Sequence, residues 1–352
     1  MVSVGVDIHK ASGFAVVKDD GGRVVASFTF KNDKCGIGEF VERLQGFRDV
    51  RVAVESSGNF WVKLYEALEA KGFRVVLSNP ARTKAIAEAK IRSDRLDAST
   101  LADLLRAGLV AESYVPPKHV RDVRALLRYR VSLVRERTRV KNRVHALLDK
   151  HEVSVGFTDL FGARGRSWLR GLELPGNDGL ILKLALDEVD RLDGLIDEVS
   201  RVIAGEAVED PRVELLLGYK GIDYYTAMVV LYEVGDINRF CSARKFVGWV
   251  GLCPSVHQSG EHCRRGGITK QGNKWVRWAL VQAAHQAARH DPKLRCFFER
   301  VAARRGVQKA IIAVARKLAV SIYYVLKRNE PYHGEDAGLR RRKVNRLRRM
   351  VS

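Results

Sequence analysis

Strand-forming runs crowd into the first eighty residues and then stop, which restricts where a sheet can form. VSVGVDI (2–8), GFAVVKDDGGRVVASFTF (13–30), RVAVESSG (51–58) and FRVVLSNP (73–80) are rich in β-branched and aromatic residues, the composition of strands. The second run reads as a hairpin turning at Asp20-Gly21-Gly22. Gly36 to Phe47 and about Phe60 to Lys71 read as helices, followed by helical segments to about Leu109. Strands alternating with helices predict an α/β domain over residues 1–113. In the first strand, Val2, Val4, Val6 and Ile8 share one face, while Ser3, Gly5, Asp7 and His9 share the other. A charge on that second face fits either a wet edge strand or a site.

The rest of the chain carries helical periodicity. Leu126, Leu133, Val140 and Leu147 sit seven apart, with Leu127, Val134, Val144 and Leu148 beside them. Ala185, Val189, Leu192, Ile196, Val199 and Ile203 alternate steps of four and three. Both are seams of a coiled coil or helical hairpin, and the Gly-rich FTDLFGARGRSWLRGLELPGND between them suits a reversal of direction. The expected layout is a helical coiled-coil region at 119–210, a mostly α domain at 211–330 and a basic tail at 331–352.

Charge points to a partner. The 352 residues are 46% hydrophobic, enough to bury more than one core, and carry a net charge of +21 with pI about 10.0, which favours a polyanion such as nucleic acid. Arg121, Arg124, Arg128, Arg130, Arg135, Arg137, Arg139, Lys141 and Arg143 outnumber the acids of their own helix and are expected to meet phosphates. LRRRKVNRLRRM, with Arg340, Arg341, Arg342, Lys343, Arg346, Arg348 and Arg349, carries the same expectation. No run approaches the roughly 18 apolar residues of a membrane span. The five scattered cysteines do not form a secreted disulfide framework, so a reducing cytoplasm is expected.

Four acids attract notice against this basic background. Asp7 lies in the first strand and Glu55 at the C-terminal end of another, where α/β sheets open their sites. In IRSDRLDASTLADLL, Ser93 reads as an N-cap, with Asp94 and Asp97 at i, i+3 on one helix face. The two aspartates could simply complement the helix dipole. If all four converge, however, their mutual repulsion calls for a hard divalent cation, and such ions assist phosphodiester cleavage.

GVDIHK, AVESSGNFW and SDRLDASTLADLL, in this order, resemble the DEDD transposases of bacterial insertion sequences, which are related to pilin-gene DNA invertases. The resemblance implies an RNase H-like (RuvC-like) N-terminal domain with Asp7, Glu55, Asp94 and Asp97 binding magnesium, as two ions. It extends through residues 215–284, which resemble the family's C-terminal transposase domain with its Gly-Leu-x-Pro, Ser-Gly and Gly-x-Ile-x-Lys-x-Gly-Asn landmarks. Family members carry a nucleophilic serine in a Ser-Ser-Gly-Gly type segment. The corresponding stretch here is Gln258-Ser259-Gly260-Glu261, so Ser259 takes that role, with Ser255 and Ser242 as rivals and Arg264, Arg265 and Lys270 as nearby cations. KGIDYYTA resembles a helix-hairpin-helix turn, in which glycine leaves room for a phosphate; a plain helix–helix turn fits it too.

Two other features are assigned no function. Cys253, His257, His262 and Cys263 lack the spacing of ordinary zinc fingers. Trp249, Trp275 and Trp278, at the edges of apolar helical patterns, are expected in the core.

The expected function is therefore a transposase or recombinase that cuts and rejoins DNA by metal-assisted serine transesterification. The resemblance adds a structured bridge RNA as guide and a homo-oligomer, a dimer assembling to a tetramer, with acids and serine meeting across protomers. The alternatives are a RuvC-like junction resolvase using water and a non-catalytic nucleic-acid-binding protein.

Overall fold

The computed structural model describes residues 1–55, 58–86, 93–259 and 262–351, residue 265 by its backbone only. Ser56 and Ser57 of AVESSGNFW, and Gly260, Glu261 and the Arg265 side chain of the serine segment, lie outside the described residues. Two compact units divide the chain, Met1–Val115 and Pro116–Ser352. Among the described residues no helix is long and apolar enough to cross a membrane.

In chain order the first unit comprises β1 (Val2–Ile8), β2 (Ser12–Lys18), β3 (Val24–Lys31), α1 (Lys34–Gln45), β4 (Val50–Glu55), α2 (Trp61–Ala70), β5 (Arg74–Ser78), α3 (Pro80–Ile86), α4 (Asp94–Arg106) and β6 (Glu112–Ser113). The sheet order is β3-β2-β1-β4-β5-β6. β1, β2 and β3 run antiparallel, β1, β4 and β5 parallel, and the short β6 returns antiparallel to β5. Val4, Val6, Ile8, Val52 and Val54 pack on Phe40 and Leu44 of α1 and Leu64 and Leu68 of α2, which fixes one face of the sheet by apolar burial.

The other face resolves the ambiguity of β1. The strand is interior, and its polar face is covered: Ser3 is 2% and Asp7 7% exposed, so a wet edge is ruled out. The cover is α4. Ala53 packs with Leu101 and Leu105, and the buried Lys18 ammonium reaches Asp103 Oδ2 of α4 at 2.6 Å. A Cβ placed on Gly5 would lie 2.0 Å from Ala98 O and 2.5 Å from Ala102 N. Only glycine lets the helix backbone approach the strand this closely.

The second unit comprises α5 (Lys118–Lys150), α6 (Ala163–Arg170), α7 (Asp178–Glu209), α8 (Pro211–Leu217), α9 (Tyr224–Val234), α10 (Ala243–Val250), β7 (Pro254–Ser259), β8 (His262–Ile268), α11 (Lys274–His290), α12 (Pro292–Arg305), α13 (Val307–Arg328) and α14 (Ala337–Arg349). α5 and α7 form a helical hairpin: Leu147 and Leu148 meet Leu182 near its tip, and Val123, Leu127 and Val131 meet Ile203 and Ala207 near its base. The base merges with a core around Met228, Phe246, Leu280, Val314 and Ile322.

Two expectations, the free charge of α5 and the burial of Trp278, need correction here. Much of the positive charge on α5 is spent internally, because acids distant in sequence pair it. Arg128 forms a two-pronged bond to the buried Glu233, at 2.7 and 2.8 Å, Arg124 donates to the carbonyls of Tyr232 and Glu233, Arg130 donates to Ser200 and Arg137 pairs with Asp193. Arg135, Arg139 and Arg143 stay exposed. The basic tail is a helix docked through the buried Leu347 and through Lys343, whose Nζ donates to the carbonyls of Leu217, Tyr219 and Ile222 in the α8–α9 turn, while Arg341, Arg342, Arg346, Arg348 and Arg349 stay exposed. In that same turn Gly221 has φ +91°, and a Cβ there would lie 2.5 Å from Ala283 O, so glycine lets α11 pack closely against the turn. Trp278 is 40% exposed rather than core.

The Gly-Asn landmark has a structural role. Asn273 Oδ1 caps α11 by accepting from Trp275 N and Val276 N, and its Nδ2 donates to Glu233 Oε2 at 2.7 Å. It thereby ties the cap of one helix to a buried carboxylate of another.

Candidate active site

Adjacent parallel strands bring the first two acids side by side. Val6 pairs with Val54, so Asp7 and Glu55 follow at the C-terminal ends of β1 and β4 on the face that α4 covers. Ser93 caps α4, its side chain accepting from Leu96 N at 3.3 Å, and fixes the start of the helix. Asp94 and Asp97 then fall in the first turn. The close contact at Gly5 presses this turn toward Asp7, two residues along the same strand face.

The electrostatics agree with that convergence. Burial pushes the Asp7 carboxyl up to about 6; His9 opposes the rise, while Glu55, Asp94 and Asp97 add to it. All three other acids therefore act on Asp7. His9 Nε2 lies 3.4 Å from Asp7 Oδ2 and 3.4 Å from Asp94 Oδ1, and ligand atoms of Asp7, His9 and Asp94 all fall within 4.8 Å of one another. The carboxylate oxygens of Asp7 and Asp94, with Glu55 and Asp97 adding negative charge at Asp7, suit a hard divalent cation, while an imidazole nitrogen beside them is a ligand of borderline metals.

The three serines sit differently. Ser242 caps α10, accepting from Lys245 N, and Ser255 Oγ donates to Gly267 O at 3.2 Å. Ser259 is exposed at the end of β7 and pairs with His262 across the β7–β8 ribbon, where His257 pairs with Arg264. Cross-strand partners share a face, and so do alternate residues. One face of the ribbon thus carries His257, Ser259, His262 and Arg264.

His9 shares a strand face with Asp7, and His257 and His262 share a ribbon face with Ser259; two-residue alternation in the sequence carries both groupings.

Comparison with known proteins places the chain among relatives. A DEDD family model of the IS110 type, described as "Transposase", matches residues 4–152, and the "Transposase IS116/IS110/IS902 family" model matches residues 213–299. The chain is similar to the transposase for insertion sequence element IS1111A of Coxiella burnetii, 29% identical over 358 positions covering 94% of this chain and 90% of that protein. It is 30% identical to the putative transposase y4rJ of Sinorhizobium fredii over 311 positions, 77% of this chain and 76% of that one. The pilin gene-inverting protein of Moraxella bovis is 26% identical over 323 positions, 86% and 89% of the two chains. Matched in both halves and along most of its length, this chain belongs to the IS110 family of transposases, enzymes that cut and rejoin DNA.

Proposed function

We propose that the chain is a transposase that exchanges DNA strands by metal-assisted serine transesterification. Asp7, Glu55, Asp94 and Asp97 hold magnesium, as two ions, on an RNase H-like domain, and Ser259 is the nucleophile. The observation that carries the reading is the grouping of Asp7, His9 and Asp94, whose ligand atoms lie within 4.8 Å of one another, with Glu55 and Asp97 adding to the negative charge at Asp7. A cluster of this kind works against folding unless a cation neutralises it. The mixed sheet, in which β1 is antiparallel to β2 and parallel to β4, supports the RNase H-like assignment.

When bound, magnesium neutralises the charge that develops on the scissile phosphate and aligns the attacking and leaving oxygens. The protein's own groups supply the remaining steps. His262, opposite Ser259 on the ribbon, takes the Oγ proton. The Ser259 oxygen bonds to phosphorus, the bond from phosphorus to the leaving sugar oxygen breaks, and that oxygen takes up a proton. The phosphoserine ester retains the bond energy, so a hydroxyl on the strand to be joined can attack it and release the serine. Arg264, on the same ribbon face, stabilises the phosphate charge. The reading requires the carboxylates and Ser259 to reach one phosphodiester, and the family resemblance supplies a homo-oligomer, a dimer assembling to a tetramer, in which they meet across protomers.

The resemblance also brings a structured bridge RNA into the proposal, supported by the net charge of +21 and by exposed Arg135, Arg139 and Arg143 on α5. The functional partition that accompanies it is catalytic acids at 1–113, helical region at 119–210, serine domain at 211–330 and basic segment at 331–352.

Single alanine replacements of Asp7, Glu55 and Asp97 test the metal site. Each is expected to abolish strand cleavage and leave nucleic-acid binding largely intact, because binding rests on cations and cleavage on metal. Full cleavage by any variant removes that residue from the site, and cleavage undiminished in a chelator refutes the metal role.

A further inference from the structure

The strand-transfer chemistry makes no use of a groove that runs along α13. Arg316, Lys317, Val320, Ser321, Tyr324 and Arg328, at i, i+1, i+4, i+5, i+8 and i+12, line one face of that helix. Between α12 and α13 lies a cavity of about 570 Å³ walled by Tyr219, Phe297 and Tyr332. A second, of about 230 Å³, shares Ser321 and Tyr332 with the first and continues past Tyr324 and Arg328.

Aromatic rings and cations alternate along this path. Lys317 Nζ lies 4.5 Å and the Arg300 guanidinium 5.7 Å from the Phe297 ring centre. Tyr219 and Tyr332 stack with ring centres 4.6 Å apart and planes 15° from parallel. Tyr324 is 46% exposed, with the Arg328 guanidinium 5.3 Å from its ring centre. Lys293 and Arg316 add charge along the first cavity, and Glu330 is the acid lining the second.

We propose that this groove binds an unpaired DNA strand. Tyr219 is buried behind Tyr332, so Phe297, Tyr332 and Tyr324 are the platforms for bases, and the cations between them follow the phosphates, the combination by which single strands are held without sequence preference. A duplex offers the phosphates but keeps its base faces stacked inside. Tyr219 and Ser321 hydrogen-bond each other at 2.6 Å, and what recommends the groove is its stacking faces and cations rather than any contact to a 2′-hydroxyl, the group that marks RNA. The inference is independent of the carboxylate cluster and of Ser259, since the groove lies on other elements. It gives the enzyme a place to hold a strand separated from its complement while cut ends are exchanged.

Fluorescence anisotropy with the full chain, labelled oligothymidine, oligouridine and a DNA duplex of equal length tests the proposal. Phe297→Ala and Tyr324→Ala should each weaken oligothymidine binding by roughly tenfold or more, the range for losing one base-stacking platform, and leave duplex binding unchanged. Lys317→Ala should lower the salt dependence by about one phosphate contact. Parallel loss of single-strand and duplex binding, or no loss of either, overturns the groove. Loss confined to oligouridine assigns the groove to RNA and overturns the DNA proposal. If Phe297→Ala fails to fold, photocrosslinking of a halogenated single strand to the unaltered protein decides the question: adducts on Phe297, Tyr324 or Tyr332 support the groove, and adducts only elsewhere refute it.

Discussion

Gly5→Ala puts the geometry of the acid cluster to the test, because the contact it disturbs sets the position of α4. The added methyl would lie 2.0 Å from Ala98 O and 2.5 Å from Ala102 N. Both are helix backbone atoms, so no side-chain rotation relieves the clash. Restoring ordinary van der Waals separation requires α4 to retreat by roughly 1.5 Å. Overpacking of this kind costs about 1–3 kcal/mol, which for a chain of this size lowers the unfolding midpoint by roughly 1–4 °C. The functional effect should be larger than the stability effect. Asp94 and Asp97 ride on α4, and a displacement of about 1 Å in a catalytic site costs on the order of a hundredfold in rate. The assay pairs thermal unfolding, in chelator and in magnesium, with strand cleavage. Gly38→Ala is the control, since nothing lies within 4 Å of a Cβ at that helical position and alanine favours helix by about 1 kcal/mol. If Gly5→Ala keeps the wild-type midpoint, magnesium response and cleavage rate, the close approach of α4 does not organise the site.

Other expectations follow from the same structure. Asp7 rises from an ordinary 3.8 to about 6 on folding, so in chelator its contribution to stability is full below about pH 4 and lost as pH rises through 6. Asp7→Asn should therefore stabilise the metal-free protein at pH 8 by up to about 3 kcal/mol, with little gain near pH 4 and the advantage removed by magnesium; urea unfolding at the two pH values reads this, and a pH-independent difference refutes it. Arg128→Ala strands Glu233, which is 1% exposed, and should cost about 3–5 kcal/mol; a denaturant midpoint unchanged from wild type would show that Asn273 alone satisfies the carboxylate. Affinity for duplex DNA should fall roughly tenfold or more between 50 and 200 mM salt, and a flat response in a filter-binding titration contradicts an electrostatic interface.

What the sequence made legible was local. The alternation of Val4, Val6 and Ile8, the cap at Ser93 and the i, i+3 spacing of Asp94 and Asp97 each depend on neighbours along the chain, and β1, β4 and α4 are found where those patterns put them. The antiparallel α5–α7 pair likewise follows from its two seams and the turn-rich stretch between them. What could not be read depends on partners far away in sequence. The arginines of α5 looked like phosphate contacts because Ser200, Glu233 and Asp193 lie 56 to 109 positions along the chain. The docking of the tail has no local signal because the carbonyls that take Lys343 lie more than a hundred positions earlier. β6, two residues long, has too little pattern to announce itself. Gly5 reads as one unremarked residue in a strand until the helix that crosses it is known.

Trapping a covalent intermediate tests the central claim most directly. Protein incubated with its cognate nucleic acids and magnesium should yield a protein–DNA adduct that survives denaturation, because a phosphoserine ester is covalent whereas cleavage by water leaves none. The adduct should map to the Ser259 peptide, vanish in Ser259→Ala and in chelator, and persist in Ser255→Ala and Ser242→Ala. An adduct that survives in Ser259→Ala, or cleavage that proceeds in magnesium with no adduct at all, would contradict the account.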